Sequence, residues 1–113
     1  MMNIKKARQV LKTLSDDTRL RIVYLLNKEE LTVTEICMLL NRNQSIISKH
    51  LTRMRLVGTV GDRRKGFNVY YRLIVPKDRI YEKLMSSVIS SLSELTVVKE
   101  DLRNLKRLKK KGV

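Results

Sequence analysis

The stretch Thr32 to Leu73, TVTEICMLLNRNQSIISKHLTRMRLVGTVGDRRKGFNVYYRL, decides the fold. Thr32 followed three residues later by Glu35 is a capping-box signature, so a helix is expected to start near Val33. On it Val33, Ile36, Cys37 and Leu40 recur at helical spacing and form one buried face. A helix this short is unstable alone and must pack on a neighbour. The neighbour follows a turn through Asn41, Arg42 and Asn43. Asn43 is the expected N-cap, Ile47, Leu51 and Met54 the core stripe, and Gly58 the residue that ends the helix. With that stripe removed, the opposite face carries Ser45, Ser48, Lys49 and Thr52, with Gln44 at the exposed start. Short hydrogen-bonding side chains suit close approach to base edges in a major groove, where an ordinary solvated face would carry Glu and Lys. Two helices about a short turn, the second polar and basic outward, read as a helix-turn-helix.

A hairpin is expected next. Val69, Tyr71 and Leu73 alternate with Tyr70 and Arg72, a strand with one buried face, and Thr59 to Asp62 supplies its partner. Between them Arg63, Arg64 and Lys65 are placed at a turn tip, with Gly66 available for positive φ. Clustered cations at a tip describe an ordinary solvated loop equally well. Directly after a recognition-type helix they read as a wing that meets phosphates or the minor groove.

Three segments resemble the ArsR/SmtB winged-helix repressors: LSDDTRLRIVYLL (Leu14 to Leu26), NQSIISKHL (Asn43 to Leu51) and RRKGFNVYYRL (Arg63 to Leu73). The resemblance runs from about Val10 to Pro76, with the segments in the family's order and spacing. It implies a homodimer joined through its first and last helices, with two recognition helices set into successive major grooves. It also implies repression released by a metal or metalloid. In the metalloid-sensing branch two cysteines one residue apart lie in the first helix of the helix-turn-helix. Thr32 and Thr34 stand at the matching positions, and hydroxyls replace soft thiolate ligands poorly. Another branch uses histidine and carboxylates on the last helix, where this chain has no histidine. No metal site and no cofactor are therefore expected, and the inducer is unassigned. Arg53 and Thr59 also replace residues that are usually apolar in the family, and the last helix runs longer.

Composition agrees with a nucleic-acid partner. The chain has 113 residues and a formal charge of +14, with 42% hydrophobic and 32% charged residues. That balance fits one folded domain with a modest core, which association would complete. It demands an acidic partner, double-stranded DNA before an anionic membrane, because no cationic segment bears an aromatic face. No apolar run is long enough to span a bilayer and no signal-type segment follows Met1, so a cytoplasmic location is expected.

Outside the central stretch, Ala7, Val10, Leu11 and Leu14 are expected on the buried face of a first helix. Ser15 is the expected N-cap of a second helix, which carries Leu20, Ile22, Val23, Leu25 and Leu26. Asp16 and Asp17 project about 100° apart and suit that helix's positive end better than acid–base chemistry. The lone cysteine, Cys37, excludes an intrachain disulfide and lies on a packing face; its rival role is a redox sensor. The lone histidine, His50, is assigned to helix packing with some DNA contact. Beyond Pro76, Asp78 caps a segment on which Ile80, Leu84, Val88, Leu95, Val98, Leu102 and Leu105 follow a roughly 3.5-residue repeat. It is either one long pairing helix, two helices broken near Ser90 by a Ser91/Glu94 capping box, or a helix folded back on its own domain.

The expected protein is thus mainly α with a small β component (α+β). It is a winged helix-turn-helix in the order helix-helix-helix-helix-strand-strand-helix. Residues 1–76 form the DNA-binding domain and 77–113 the C-terminal dimerisation segment. The DNA-binding set is Arg42, Gln44, Ser45, Ser48, Lys49, His50, Thr52, Arg53, Arg63, Arg64 and Lys65. Val10, Leu14, Leu84, Val88, Leu95, Val98, Leu102 and Leu105 form the dimer set. The function expected is a homodimeric repressor on an inverted-repeat operator, with an architectural DNA-coating protein as the alternative. No enzyme is expected, because no nucleophile–base pair or phosphate-cradling glycine loop is present.

Overall fold

Side-chain caps set where the helices begin. Asn3, Asp16, Thr32, Asn43 and Asp78 each take an extended backbone and accept a hydrogen bond from the first turn that follows. They open α1 (Ile4–Leu14), α2 (Asp17–Lys28), α3 (Val33–Leu40), α4 (Gln44–Val57) and α5 (Arg79–Leu92). Among the described residues a sixth helix, α6 (Thr96–Gly112), follows, together with three strands: β1 (Leu31–Thr32), β2 (Val60–Lys65) and β3 (Asn68–Leu73). The computed structural model describes residues 1–75 and 77–112; the boundary drawn at Pro76 and the side chain of Lys111 lie outside the described residues.

The Thr32/Glu35 capping box forms in both directions. Asn41 closes α3 in the left-handed region at φ 53°, and Gly58 closes α4 at φ 89°. Ser15, in contrast, caps the end of α1, its hydroxyl donating to the Lys12 carbonyl, and Asp16 takes the N-cap of α2. The carboxylate is the stronger acceptor at a helix N-terminus. On α1 the buried residues are Val10, Thr13 and Leu14, while Leu11 is 49% exposed.

The sheet has the antiparallel order β1-β3-β2. β1 pairs Leu31 with Tyr71 and Thr32 with Tyr70, a third strand that no sequence pattern marked. In the hairpin Lys65 pairs with Asn68, so the turn is the two residues Gly66 and Phe67. Arg63, Arg64 and Lys65 therefore lie along β2 and not at the tip, in register with Tyr70, Val69 and Asn68 of β3.

One apolar cluster joins Val10, Ile22, Leu25, Leu31, Ile36, Ile47, Leu51, Met54, Met85 and Leu105. The C-terminal segment is two helices, and the break falls at Ser93 to Leu95, three residues beyond the expected Ser90. Ser91 lies inside α5 and caps nothing. Instead the Ser93 hydroxyl donates to the Ser90 carbonyl while the Glu94 and Leu95 amides donate to Ser91 and Leu92, which closes the last turn. The buried face of α5 is Tyr81, Met85 and Leu92, with Ile80 58% exposed, a step away from the expected seam.

α6 folds back onto α2 and α3. Val98 packs with Tyr24 and Leu92, and Leu105 joins the main cluster. Asp101, 1% exposed, receives two guanidinium N–H bonds from Arg21, both 2.8 Å long. That pairing satisfies a charge that would otherwise be stranded. Lys109 reaches Glu29 and Glu35 at 3.3 and 3.2 Å, and these contacts hold its ammonium charged above the ordinary lysine range despite partial burial. Asp101→Ala leaves Arg21 unpaired, and a loss of about 3 kcal/mol is expected in urea unfolding. Replacing both partners, as in Arg21→Met/Asp101→Leu, should recover much of that loss.

Candidate nucleic-acid interface

Burial of Ile47, Leu51 and Met54 fixes the rotation of α4. Gln44, Ser45, Lys49, Thr52 and Arg53 are then exposed, Ser48 sits half-buried at the margin, and Arg42 is exposed in the preceding turn. The first turn of α4 carries no acid, and only the Ile46 amide there is taken by the Asn43 side chain, at 2.9 Å. Its positive end stays open to an anion. At the other end the Lys6 ammonium donates to the Val57 carbonyl, a cation at the negative end of the helix.

The hairpin is tied to the same helix. Thr59, fully buried, donates its hydroxyl to the Met54 carbonyl at 3.1 Å, and its own carbonyl accepts from the Ile74 amide at 2.9 Å. The polar residue that departs from the family pattern is thereby satisfied. A side chain on Gly61 would meet the end of Ile74 at 2.8 Å, so glycine lets β2 pass beneath it. Arg55 reaches Asp62 at 3.2 Å and Arg63 reaches Glu30 at 2.7 Å, both in exposed positions. Such exposed pairs are weak and can exchange their carboxylate for a phosphate. Arg64 and Lys65 are exposed, with no ion-pair partner among the described residues.

His50 is turned toward α2. Its Nδ1 lies 3.1 Å from an Arg19 guanidinium nitrogen and 3.9 Å from Asp16. Arg19 can only donate, so Nδ1 accepts and the ring is neutral. Burial, aided by the Arg19 and Arg53 charges and opposed by Asp16, holds the histidine below its ordinary pKa of 6.5. Asp16, despite burial, is held below the ordinary carboxylate range by the Arg19 amide, by His50 once that ring is protonated, and by the Arg19 charge. Cys37 is half-buried and burial pushes its thiol up, away from the thiolate a redox sensor needs. No three metal-ligating side chains converge among the described residues.

Of the expected dimer set, Val10, Leu14, Val98 and Leu105 are buried in the chain's own core. Leu84, Val88 and Leu102 are half-buried, and Leu95 is exposed. Sequence reasoning passed over two exposed apolar residues on the interface: Ile46 on α4, and Phe67 at the hairpin tip. A large apolar residue directly after a turn glycine is the signal that pointed to the second.

The family model for bacterial regulatory proteins of the arsR family matches residues 16–60. The arsenic resistance transcriptional regulator ArsR1 of Pseudomonas putida is 40% identical over 86 residues, which cover 75% of this chain and 67% of that protein. The arsenical resistance operon repressor of Escherichia coli is 46% identical over 66 residues, 58% of this chain and 56% of that protein. Thus the chain spans little more than half the length of the second relative. A homodimeric winged helix-turn-helix DNA-binding domain from Mycobacterium bovis superposes with a TM-score of 0.64 at 26% identity, covering 82% of this chain and 87% of that one.

The His50 environment predicts a pH effect on stability. Because the folded pKa is depressed, its contribution is complete above the ordinary value of 6.5 and is lost as pH falls through the folded value. Thermal unfolding followed from about pH 7.5 down to about pH 5 should show the native protein losing more stability than His50→Gln. A parallel pair of curves would mean that the ring titrates freely.

Proposed function

The chain belongs to the ArsR family of bacterial DNA-binding regulatory proteins, and from that premise we propose that it is a homodimeric transcriptional repressor acting on an inverted-repeat operator. The observation that carries the reading is the outward face of α4, polar and basic, standing beside a cationic hairpin on one shared core. In this reading Gln44, Ser45, Ser48 and Lys49 read base edges, each good contact worth about 1–3 kcal/mol. Arg42, Arg53, Arg63, Arg64 and Lys65 neutralise phosphates and set the register, Thr52 lines the groove, and His50 acts mainly by holding α4 against α2.

Residues 1–76 serve as the DNA-binding part and 77–113 help to pair two copies, through the surface left by Leu84, Val88, Leu95 and Leu102. Two-fold pairing puts the half-site centres about 34 Å apart, one helical turn. The Thr32 hydroxyl is engaged in capping α3, so no soft-metal ligand is assigned there and no catalytic role is proposed. No described helix is long and apolar enough to cross a membrane, and the proposal sets the protein in the cytoplasm.

Selection of bound fragments from the source genome tests this directly. A repressor should prefer a few inverted-repeat sites to random DNA by about 10³ or more, whereas an architectural protein would coat all fragments alike. If six to ten phosphates are contacted, affinity should fall by about 10³–10⁵ between 50 and 200 mM salt. Lys49→Ala is expected to weaken operator binding more than random-DNA binding, and Arg64→Ala to weaken both equally. Identical behaviour of the two variants would refute this division of labour.

A further inference from the structure

The hairpin leaves its base at Val60, which is buried, and from Asp62 outward every β2 residue is exposed. The four exposed residues Asp62 to Lys65, at about 3.3 Å each, make an arm of about 13 Å. At its end Gly66, at φ 66°, takes the first central position of a two-residue turn, and Phe67 takes the second. Phe67 is 101% exposed, and no atom lies within 4 Å of where a Gly66 side chain would begin. An aromatic ring in open solvent at the tip of an arm gains from any apolar partner it meets.

The surroundings choose the partner. Arg63, Arg64 and Lys65 precede the ring, Asn68 follows it and Arg72 lies further along β3, whereas the nearby carboxylates of Asp62 and Glu30 are engaged by Arg55 and Arg63. This cationic collar disfavours another copy of this strongly basic chain and favours a polyanion whose interior is apolar, which is duplex DNA. Proteins that enter minor grooves pair Arg, Lys or Asn with an apolar wedge that partly unstacks a base step.

We propose that Phe67 is such a wedge: the hairpin tip enters the minor groove flanking each half-site, and the ring opens a base step there. The proposal rests on the DNA-binding reading above and adds a position at which sequence is sensed through deformability instead of base hydrogen bonds. Flexible pyrimidine–purine steps are favoured under the tip.

The test uses the full chain and an operator fragment recovered by selection, synthesised with 2-aminopurine about 5 base pairs outside a half-site centre. Native protein is expected to raise the 2-aminopurine fluorescence on binding, as the base unstacks. Phe67→Ala should abolish that rise and weaken operator binding about ten-fold. Phe67→Leu, still an apolar wedge, should keep most of both. Arg64→Ala should weaken binding while the bound complex still shows the rise. Because the ring packs on nothing, thermal unfolding of Phe67→Ala should match that of the native chain. Unchanged affinity with no fluorescence response in either protein would overturn the wedge and leave the repressor reading standing. Loss of self-association in Phe67→Ala, with DNA binding intact, would overturn it in favour of a contact between copies. Failure of the native chain to prefer any duplex would sink both readings.

Discussion

The rotation of α4 about its own axis is the constraint on which the interface depends. Successive residues turn by about 100°, so only one rotation buries Ile47, Leu51 and Met54 together. A slip of one position would drive Ser48 and Thr52 into an apolar core and expose three large side chains. The polar face is outward because the alternative is energetically closed. Packing, capping at Asn43 and the Lys6 contact at Val57 all fix that same rotation and length.

The hairpin inherits its position from this helix through short links. Gly58 turns the chain, Thr59 bonds back to Met54 and forward to Ile74, and β2 then runs out beside β3. β1 adds its two residues to the far side of β3, so the hairpin leaves a three-stranded base. α4 and the hairpin are therefore tied to each other through Thr59 and a shared core. α6 adds a second brace from behind, its Asp101 locked to Arg21 on the central helix and its Lys109 reaching the start of α3.

The central stretch was legible because its signals are local and redundant. Thr32 with Glu35, Asn43, the Ile47/Leu51/Met54 spacing and Gly58 each mark the same two helices independently. The losses share a physical cause, which is that partners distant in sequence decided the outcome. A two-residue strand such as β1 has no periodicity to read, and exists because Leu31 and Thr32 meet Tyr71 and Tyr70. The break at Ser93 depends on serine hydroxyls and chain amides competing for the same carbonyls, which composition alone cannot rank. Val98 and Leu105 repeat at a spacing that suits a partner subunit or the chain's own core equally well, and here they lie in the core. A run of arginines reads as a turn because charge clusters resemble loops, whereas strand pairing with Tyr70 and Val69 sets Arg63 and Arg64 along β2.

The contact between Arg63 and Glu30 has a consequence for how ionic strength acts on binding. A cation that already carries a protein carboxylate has been neutralised before it meets a nucleic acid. Transferring it to a phosphate frees a glutamate, which must then collect cations of its own from the medium. In the proposed complex Arg63 would therefore add less than a full unit to the thermodynamic exponent that relates affinity to salt, while Arg64 and Lys65, without an ion-pair partner among the described residues, would add nearly one each. In that reading Glu30 is a built-in counterion that moderates indiscriminate grip on any polyanion while leaving the polar outward face of α4 untouched.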